Sequence, residues 1–393
     1  MNKIPRNVWV LGFVSLLTDI SSEMIHSLLP LFLVSVLRAN VLTVGLIEGI
    51  AEATASILKV FSGVLSDYLG KRKGLAVFGY GLSTFAKPLF ALATSPTGVL
   101  IARFGDRVGK GIRVAPRDAL VADSTNAEVR GAAYGLRQSL DTIGAFLGPL
   151  AAFLLMAAFN SNFRLVFWLA LIPGFLAVAL LIVGVREVKT NQTQVSRSNP
   201  IQWQALRSLG QGYWILVAVA LLFNLGNSSD AFLLLRAEQI GISAPLIPLT
   251  LVVMNIAYSL SAYPLGILCD RLGRFGLLVS GFLLYALVYL GFAFVRSPWQ
   301  VWGLFALYGL HMGMTQGVLL ALVADKVPTN LRGSAFGFLN FAVGIALLPA
   351  SLLAGELWQV AGSSTTFIAG SCLAIVAVLL LLMQREKYTP INY

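Results

Sequence analysis

Charge is scarce in this sequence. Only 11% of its 393 residues are Asp, Glu, Lys or Arg, whereas 57% are hydrophobic. Soluble domains carry roughly 25% charged residues, so neither an ordinary cytosolic enzyme nor a disordered chain is expected. Cysteine is scarcer still. Cys269 and Cys372 lie in separate apolar stretches, too few for a disulfide framework and without the spacing of a metal site. Histidine occurs only as His26 and His311. There is no His-rich metal motif, no phosphate-cradling glycine loop and no nucleophile elbow, so no enzyme and no cofactor are expected. The stretch Met1–Arg6 is short, and no small-residue site closes the apolar run behind it. No cleaved leader is expected.

Long apolar runs are abundant. A spanning helix needs about 20 apolar residues, and twelve candidates stand at roughly 8–37, 43–66, 74–95, 98–121, 132–157, 164–185, 213–236, 246–268, 276–295, 299–322, 333–357 and 364–384. This predicts an all-α membrane protein of twelve transmembrane helices. The net charge is +11, and the Lys/Arg bias of the loops sets orientation. Sixteen basic residues flank the helices on the side of both termini, and four (Arg38, Arg164, Arg236, Arg296) lie on the other. Both termini and the central linker are therefore expected in the cytoplasm. The basic excess reports topology in a cytoplasmic (inner) membrane, with lipid and not nucleic acid as the partner.

The chain repeats itself. Gly63-Val-Leu-Ser-Asp67-Tyr-Leu-Gly70 returns as Gly266-Ile-Leu-Cys-Asp270-Arg-Leu-Gly273, 203 residues later. Ala122-Asp123 with Arg130-Gly131 returns as Ala324-Asp325 with Arg332-Gly333, 202 residues later. Two motifs at one offset predict two six-helix bundles, 1–185 and 213–393, joined by a linker at 186–212. That linker is too short for a catalytic or ATP-binding domain. Parallel halves of this kind are a transporter architecture with the substrate near the bilayer midplane.

These residues resemble the major facilitator superfamily across essentially the whole chain. Its loop signature after helix 2 appears as Gly63, Asp67, Gly70, Lys71 and Arg72, with Tyr68 in place of the first basic residue. It returns after helix 8 as Gly266, Asp270, Arg271, Gly273 and Arg274. The resemblance implies a conformational latch, in which the carboxylate pairs in one state of the cycle only. A helix 4 signature survives as Arg107, Gly111 and Ala115, with Lys110 and Arg113 replacing Gln and Gly; analogy assigns Arg107 to proton coupling. A helix 5 signature of the drug/proton antiporter branch survives as Gly135, Gly144, Gly148 and Pro149, with Ala152 and Phe153 at its last glycine pair. It implies export.

Ionisable residues inside spanning helices are costly and mark function by default. Here they crowd into the first half. Helix 1 carries Asp19, Glu23 and His26 on one face, spaced by four and three residues. Helix 2 carries Glu48 and Glu52, and helix 4 carries Arg103, Asp106, Arg107 and Lys110. At about 1.5 Å per residue, Asp19, Glu23, Arg107 and Lys110 fall near midplane. In the family fold helices 1, 4, 7 and 10 line the cavity, so an acidic face on helix 1 is expected opposite a basic face on helix 4. A carboxylate whose basic partner leaves takes up a proton more readily, which is a route to coupling. His26 reads as a hydrogen-bonding cavity residue, or as a ligand with Asp19 and Glu23 if the cargo is a divalent metal. Lys87, before Pro88, reads as a packing feature. In the second half Asp230 is a lone acid, with Asn227 beside it. The leading expectation is a monomeric, proton-coupled exporter of a small molecule. A metal exporter and an importer of an anionic solute are the alternatives.

Overall fold

The computed structural model describes residues 4–69, 72–126, 129–187, 209–328 and 331–383. Every regular element among them is a helix. Twelve helical runs follow one another: α1 (Arg6–Val36), α2 (Val41–Leu69), α3 (Arg72–Leu92), α4 (Pro96–Asp123), α5 (Arg130–Ala158), α6 (Phe163–Gly184), α7 (Gln211–Gln239), α8 (Ile247–Leu272), α9 (Arg274–Phe294), α10 (Pro298–Lys326), α11 (Arg332–Ala361) and α12 (Ser363–Leu382). Most of the linker expected at 186–212 lies outside the described residues.

Ten of these runs are long and apolar enough to cross a membrane, counted over the described residues. The chain is thus a multi-pass membrane protein. The two outside that count are α4 and α10. Charge disqualifies α4, which carries Arg103, Asp106, Arg107, Lys110, Arg113 and Arg117 along one helix. α10 lies only partly within the described residues, so the count does not cover all of it.

Both exceptional helices begin alike. Ser95 caps α4 by accepting from the Gly98 amide, with Pro96 in the first turn. Ser297 caps α10 in a reciprocal box with Gln300, with Pro298 in the first turn. Serine at the cap and proline just inside are the expected start signals. The two Ser-Pro pairs are 202 residues apart (297 − 95), a third repeat at the same offset.

Three runs are not continuous. α1 is α-helical over Arg6–His26 and Leu29–Leu31, then finishes in a π-helical turn over Phe32–Val36. Pro30 sits at this junction, where its missing N–H breaks the ladder. α6 breaks at Ala170. α7 breaks between Gly226 and Ala231, so Asn227 and Asp230, expected within helix 7, instead occupy a short unwound stretch.

Two compact units divide the chain: Met1–Ala39 with Ile50–Asn199 and Ser243–Val252, and Asn40–Gly49 with Pro200–Ile242 and Val253–Tyr393. In the first, α1 packs on α5 and α6, and α3 packs on α4 and α6. In the second, α7 packs on α11 and α12, and α9 packs on α10 and α12. The partners match helix for helix, six positions on.

Arginine secures a helix end in each unit. Arg164 donates to the carbonyls of Ala91 and Ala93, at the end of α3, over 2.7 and 2.8 Å. Buried Arg236 donates to Phe292 and Ala293, at the end of α9, over 3.0 and 3.2 Å. Carbonyls at a helix C-terminus lack intrahelical donors. Arg164 and Arg236, two of the four basic residues counted on the side opposite the termini, lie within α6 and α7 and serve as caps.

Candidate functional site

The helices of the first unit meet through small residues. A Cβ added at Gly109 would lie 2.6 Å from the Gly79 carbonyl, so α3 and α4 touch backbone to backbone. Gly111 is equally close to Leu58 of α2. On α5, a Cβ at Gly144 would lie 2.7 Å from the Leu16 carbonyl and 2.9 Å from Asp19 Cβ, and one at Gly148 would lie 2.5 Å from Glu23 Cβ. The glycines of the helix 5 motif therefore seat α5 on the stretch of α1 that carries its acids. Gly135, of the same motif, has nothing within 4 Å, and Pro149 lies inside the unbroken α5.

This close packing brings α1, α2 and α4 to one charge network. At its centre is the His26 ring. Arg103 Nη1 donates to His26 Nε2, and Arg107 Nη2 reaches the same nitrogen at 3.0 Å and Nδ1 at 3.2 Å. Glu23 Oε1 lies 3.6 Å from Nδ1, and Asp106 Oδ2 lies 3.7 Å from Nε2. Glu52 Oε1 is 3.2 Å from Arg107 Nη2 and 4.0 Å from Arg103 Nη2. Asp106 also accepts from Ser83 of α3. Burial is deep: the Arg103 and Arg107 side chains are each 3% exposed, against 34% for Glu52.

Lys87 of α3 is fully buried and donates to Ser21 of α1, which in turn donates to the Ala170 carbonyl. Its charge acts on Asp106, Asp19 and Glu23. The expectation of a simple packing role for Lys87 thus missed an ammonium held by α1 beside the network. Nothing local in the sequence signals it, since Ser21 and Lys87 are 66 residues apart.

A second network lies further along the same helices. Arg117 pairs with Asp118 at 2.9 Å, Arg137 pairs with Asp141 at 2.6 Å, and Arg117 donates to Ser15 of α1 over 3.2 Å. Asp19 lies within electrostatic reach of Asp141 and of Arg113, Lys110 and Arg117. Arg113, where the family pattern has glycine, lies over the Tyr80 ring with its guanidinium carbon 4.7 Å from the centroid.

Three further candidates fall elsewhere. Glu48 is buried, in the part of α2 that groups with the second unit. Asp230 and Asn227, at the break in α7, both accept from the Tyr308 hydroxyl of α10, at 3.2 and 3.1 Å. Tyr308 was not foreseen. Its ring faces Tyr285, Tyr289 and His311 at centroid distances of 5.8 to 6.4 Å.

The latch residues are partly described. Gly63 lies at ordinary contact distance from Ala115 of α4. Gly273 turns the chain into α9 at φ +85°, a conformation that favours glycine, and Arg274 opens that helix. Gly70 and Lys71 lie outside the described residues, as do the side chains of Asp67, Asp270 and Arg271 and any neighbours of Gly266. Arg72 pairs with Asp123, at the end of α4, at 3.0 Å. Glu187 accepts from the amides of Arg72 and Lys73, both at 3.0 Å, which caps α3. A carboxylate at a helix N-terminus is favoured by the backbone dipoles.

His26 already faces two guanidinium groups, and among the described residues no three His, Cys, Asp or Glu side chains group as a metal site.

The profile described as Major Facilitator Superfamily matches residues 11–349 and 231–392. An uncharacterized MFS-type transporter of Methanocaldococcus jannaschii is 36% identical over 387 residues, covering 97% of this chain and 95% of that protein. An uncharacterized protein of Mycobacterium tuberculosis is 26% identical over 393 residues, covering 98% and 94%. Among solved structures, a POT family transporter in complex with 5-aminolevulinic acid has a TM-score of 0.81 at 14% identity, covering 98% of this chain and 97% of that one. At that identity the likeness speaks for the fold alone.

Proposed function

The chain belongs to the major facilitator superfamily, and on that premise we propose that it exports a small molecule in exchange for protons, by alternating access. The observation that carries this reading is the seating of α5 on α1 through Gly144 and Gly148, at the backbone that bears Asp19 and Glu23. The glycine motif that the antiporter branch shares and the carboxylates that would carry the proton are thus one packing unit. Asp19, Glu23, Glu52 and Asp106 supply the exchangeable sites. Arg103, Arg107, Lys110 and Lys87 supply the counter-charges. As the helices shift, a carboxylate that loses its cation takes a proton, and one that regains it gives the proton up.

The wider frame is twelve spans in two six-helix halves, 1–185 and 213–393, in an inner membrane with both termini cytoplasmic. The Lys/Arg bias supports the sidedness. The motif at Gly63–Arg72 and its repeat at Gly266–Arg274 act as the latch. The Arg72–Asp123 pair and the Glu187 cap support this by fixing the end of α3 from which the first motif leads.

A second reading has an observation of its own. Two guanidiniums converge on one nitrogen of His26, an arrangement that an anionic group could take over. This favours uptake of an anionic solute together with a proton. Proteoliposomes energised by a pH gradient, loaded in turn with cationic dyes and small organic acids, separate the readings. Export predicts dye efflux that stops when the gradient is collapsed and is lost in Asp19→Asn or Glu23→Gln with folding intact. Efflux indifferent to the gradient would refute proton coupling. Wild-type rates in both variants would remove Asp19 and Glu23 from it.

A further inference from the structure

The contacts of His26 are of two incompatible kinds. Arg103 Nη1 and Arg107 Nη2 both point at Nε2, and Arg107 Nη2 also lies 3.2 Å from Nδ1. A guanidinium only donates, so the ring nitrogen they meet must accept, and an imidazole that accepts is neutral. On the opposite account stand two carboxylates, Glu23 at 3.6 Å from Nδ1 and Asp106 at 3.7 Å from Nε2. These are just beyond hydrogen-bond length and can only accept. A protonated ring has an N–H on each nitrogen and no acceptor left. It is repelled by both guanidiniums and complementary to both carboxylates.

We propose that His26 is a proton-gated stand-in for an oxyanion. Neutral, its Nε2 occupies the point where the Arg103 and Arg107 donors converge. Protonated, it turns to Glu23 and Asp106 and leaves that point to a carboxylate or phosphate group of a solute. Binding of the proton and of the oxyanion then favour one another. The idea rests on the second reading above, uptake of an anionic solute together with a proton, and not on exchange; it adds the residue at which proton and oxyanion meet. Positive coupling implies that an anionic solute crosses together with its proton.

The surroundings are consistent with the exchange. The charges about the ring are Glu23 on α1, Glu52 on α2, and Arg103, Asp106 and Arg107 on α4. Lys110 acts on Glu23, and Lys87 of α3 acts on Asp106. Glu52 stays with Arg103 and Arg107 in either state and holds their side chains in place while the imidazole leaves. His26 is the last residue of the regular α-helical part of α1, directly before the Ser27–Leu28 break.

The test uses the whole protein in nanodiscs, with sulfate and acetate as probes because neither changes charge between about pH 5.5 and 8, where histidine titrates. The wild type should bind a probe at least about tenfold more tightly at the acidic end, the scale of one charge-assisted hydrogen bond. Preference for sulfate marks a phosphate-like ligand, and preference for acetate a carboxylate. His26→Leu has no acceptor and should bind at both ends of the range. His26→Gln keeps an acceptor that cannot be protonated away and should bind weakly at both. Wild-type binding independent of pH, or His26→Leu still losing the probe at high pH, would overturn the proposal. If that variant does not fold, the wild type still decides. With His311→Gln leaving a single histidine, 15N ring shifts must show one unprotonated nitrogen at pH 8 and two protonated ones in the acidic, probe-bound protein. A ring that stays neutral with the probe bound refutes the gate. Binding needs no gradient, so a protein that binds as stated but moves no protons would sink the transport reading and leave this one standing.

Discussion

The two units place different chemistry on matching helix positions. At an offset of 202 residues, Ser83, Lys87 and Asp106 correspond to Tyr285, Tyr289 and Tyr308. In the first unit these positions hold an exchangeable network: Ser83 donates to Asp106, and Lys87 donates to Ser21. In the second they hold a stack of phenols. Tyr285 and Tyr289 lie 4.1 Å apart at 30°, and Tyr308 donates to Asn227 and Asp230. One helix framework, with the same packing partners in each unit, therefore tolerates either charge or aromatic bulk at its polar layer. The difference is one of stakes. Buried charges are costly unless every partner stays in place, and they rearrange when one is protonated. Stacked rings bury 150–250 Å² each by general estimate and keep their protons near neutrality. On the reading proposed here, the first unit responds to protons and the second gives a rigid counterpart.

The largest effects should come from breaking the charged layer. Arg107→Leu leaves Glu52 and Asp106 without their shared cation and removes a donor to His26. Removing one partner of a buried pair costs about 3–5 kcal/mol, so a melt in detergent should fall steeply. A melt within experimental error of wild type would show that the network is solvated, not held. Next is the seat of α5 on α1. Gly148→Ala drives a methyl into Glu23 Cβ and the Ile20 carbonyl, and overpacking costs about 1–3 kcal/mol. The loss should be the same with Glu23 or Gln at position 23, since the clash is steric. A clash relieved by Glu23→Gln would mean that charge, not shape, sets this contact. Tyr308→Phe in the second unit should be milder. It removes two hydrogen bonds from one hydroxyl and keeps the ring, a change of about 1 kcal/mol. If it matched Arg107→Leu, the contrast between the units would collapse.

Much of the frame was legible in the sequence, because it rests on local signals. Apolar runs, Lys/Arg bias and two motifs at one offset marked out the helices and the repeat. Composition is weakest for α4, whose buried charges lower its apolar content. The breaks in α1 and α7 were missed for a related reason. A run of apolar residues looks continuous whether or not its backbone ladder is, and only Pro30 hinted at the first break. The acids of helix 1 were expected opposite the cations of helix 4, but their particular partners were not. That Arg103 and Arg107 share His26, and that Lys87 reaches Ser21, depends on how α1 lies against α3 and α4. Such pairings link positions 66 to 81 residues apart, beyond any periodicity. Tyr308 gave no signal because a tyrosine in an apolar helix reads as bulk until its hydroxyl finds a carboxylate.

The smallest predicted effect is the sharpest control on the seat of α5. Gly135 belongs to the same motif as Gly144 and Gly148, yet a Cβ there meets nothing within 4 Å. If the motif matters as a whole, as a flexible or kinked helix, all three glycines should resist substitution alike. If it matters only where α5 presses on the acids of α1, Gly135→Ala should be free of cost. Alanine is favoured over glycine in a helix interior by up to about 1 kcal/mol, so the expected outcome is an unchanged or slightly raised melting temperature with transport intact. A loss of transport in stable Gly135→Ala protein would locate the motif's role in the motion of α5 and not in its contact with Asp19 and Glu23. The comparison between units would then have to be redrawn around helix flexibility, because a rigid ring-filled unit and a charged one could differ in what bends before they differ in what binds.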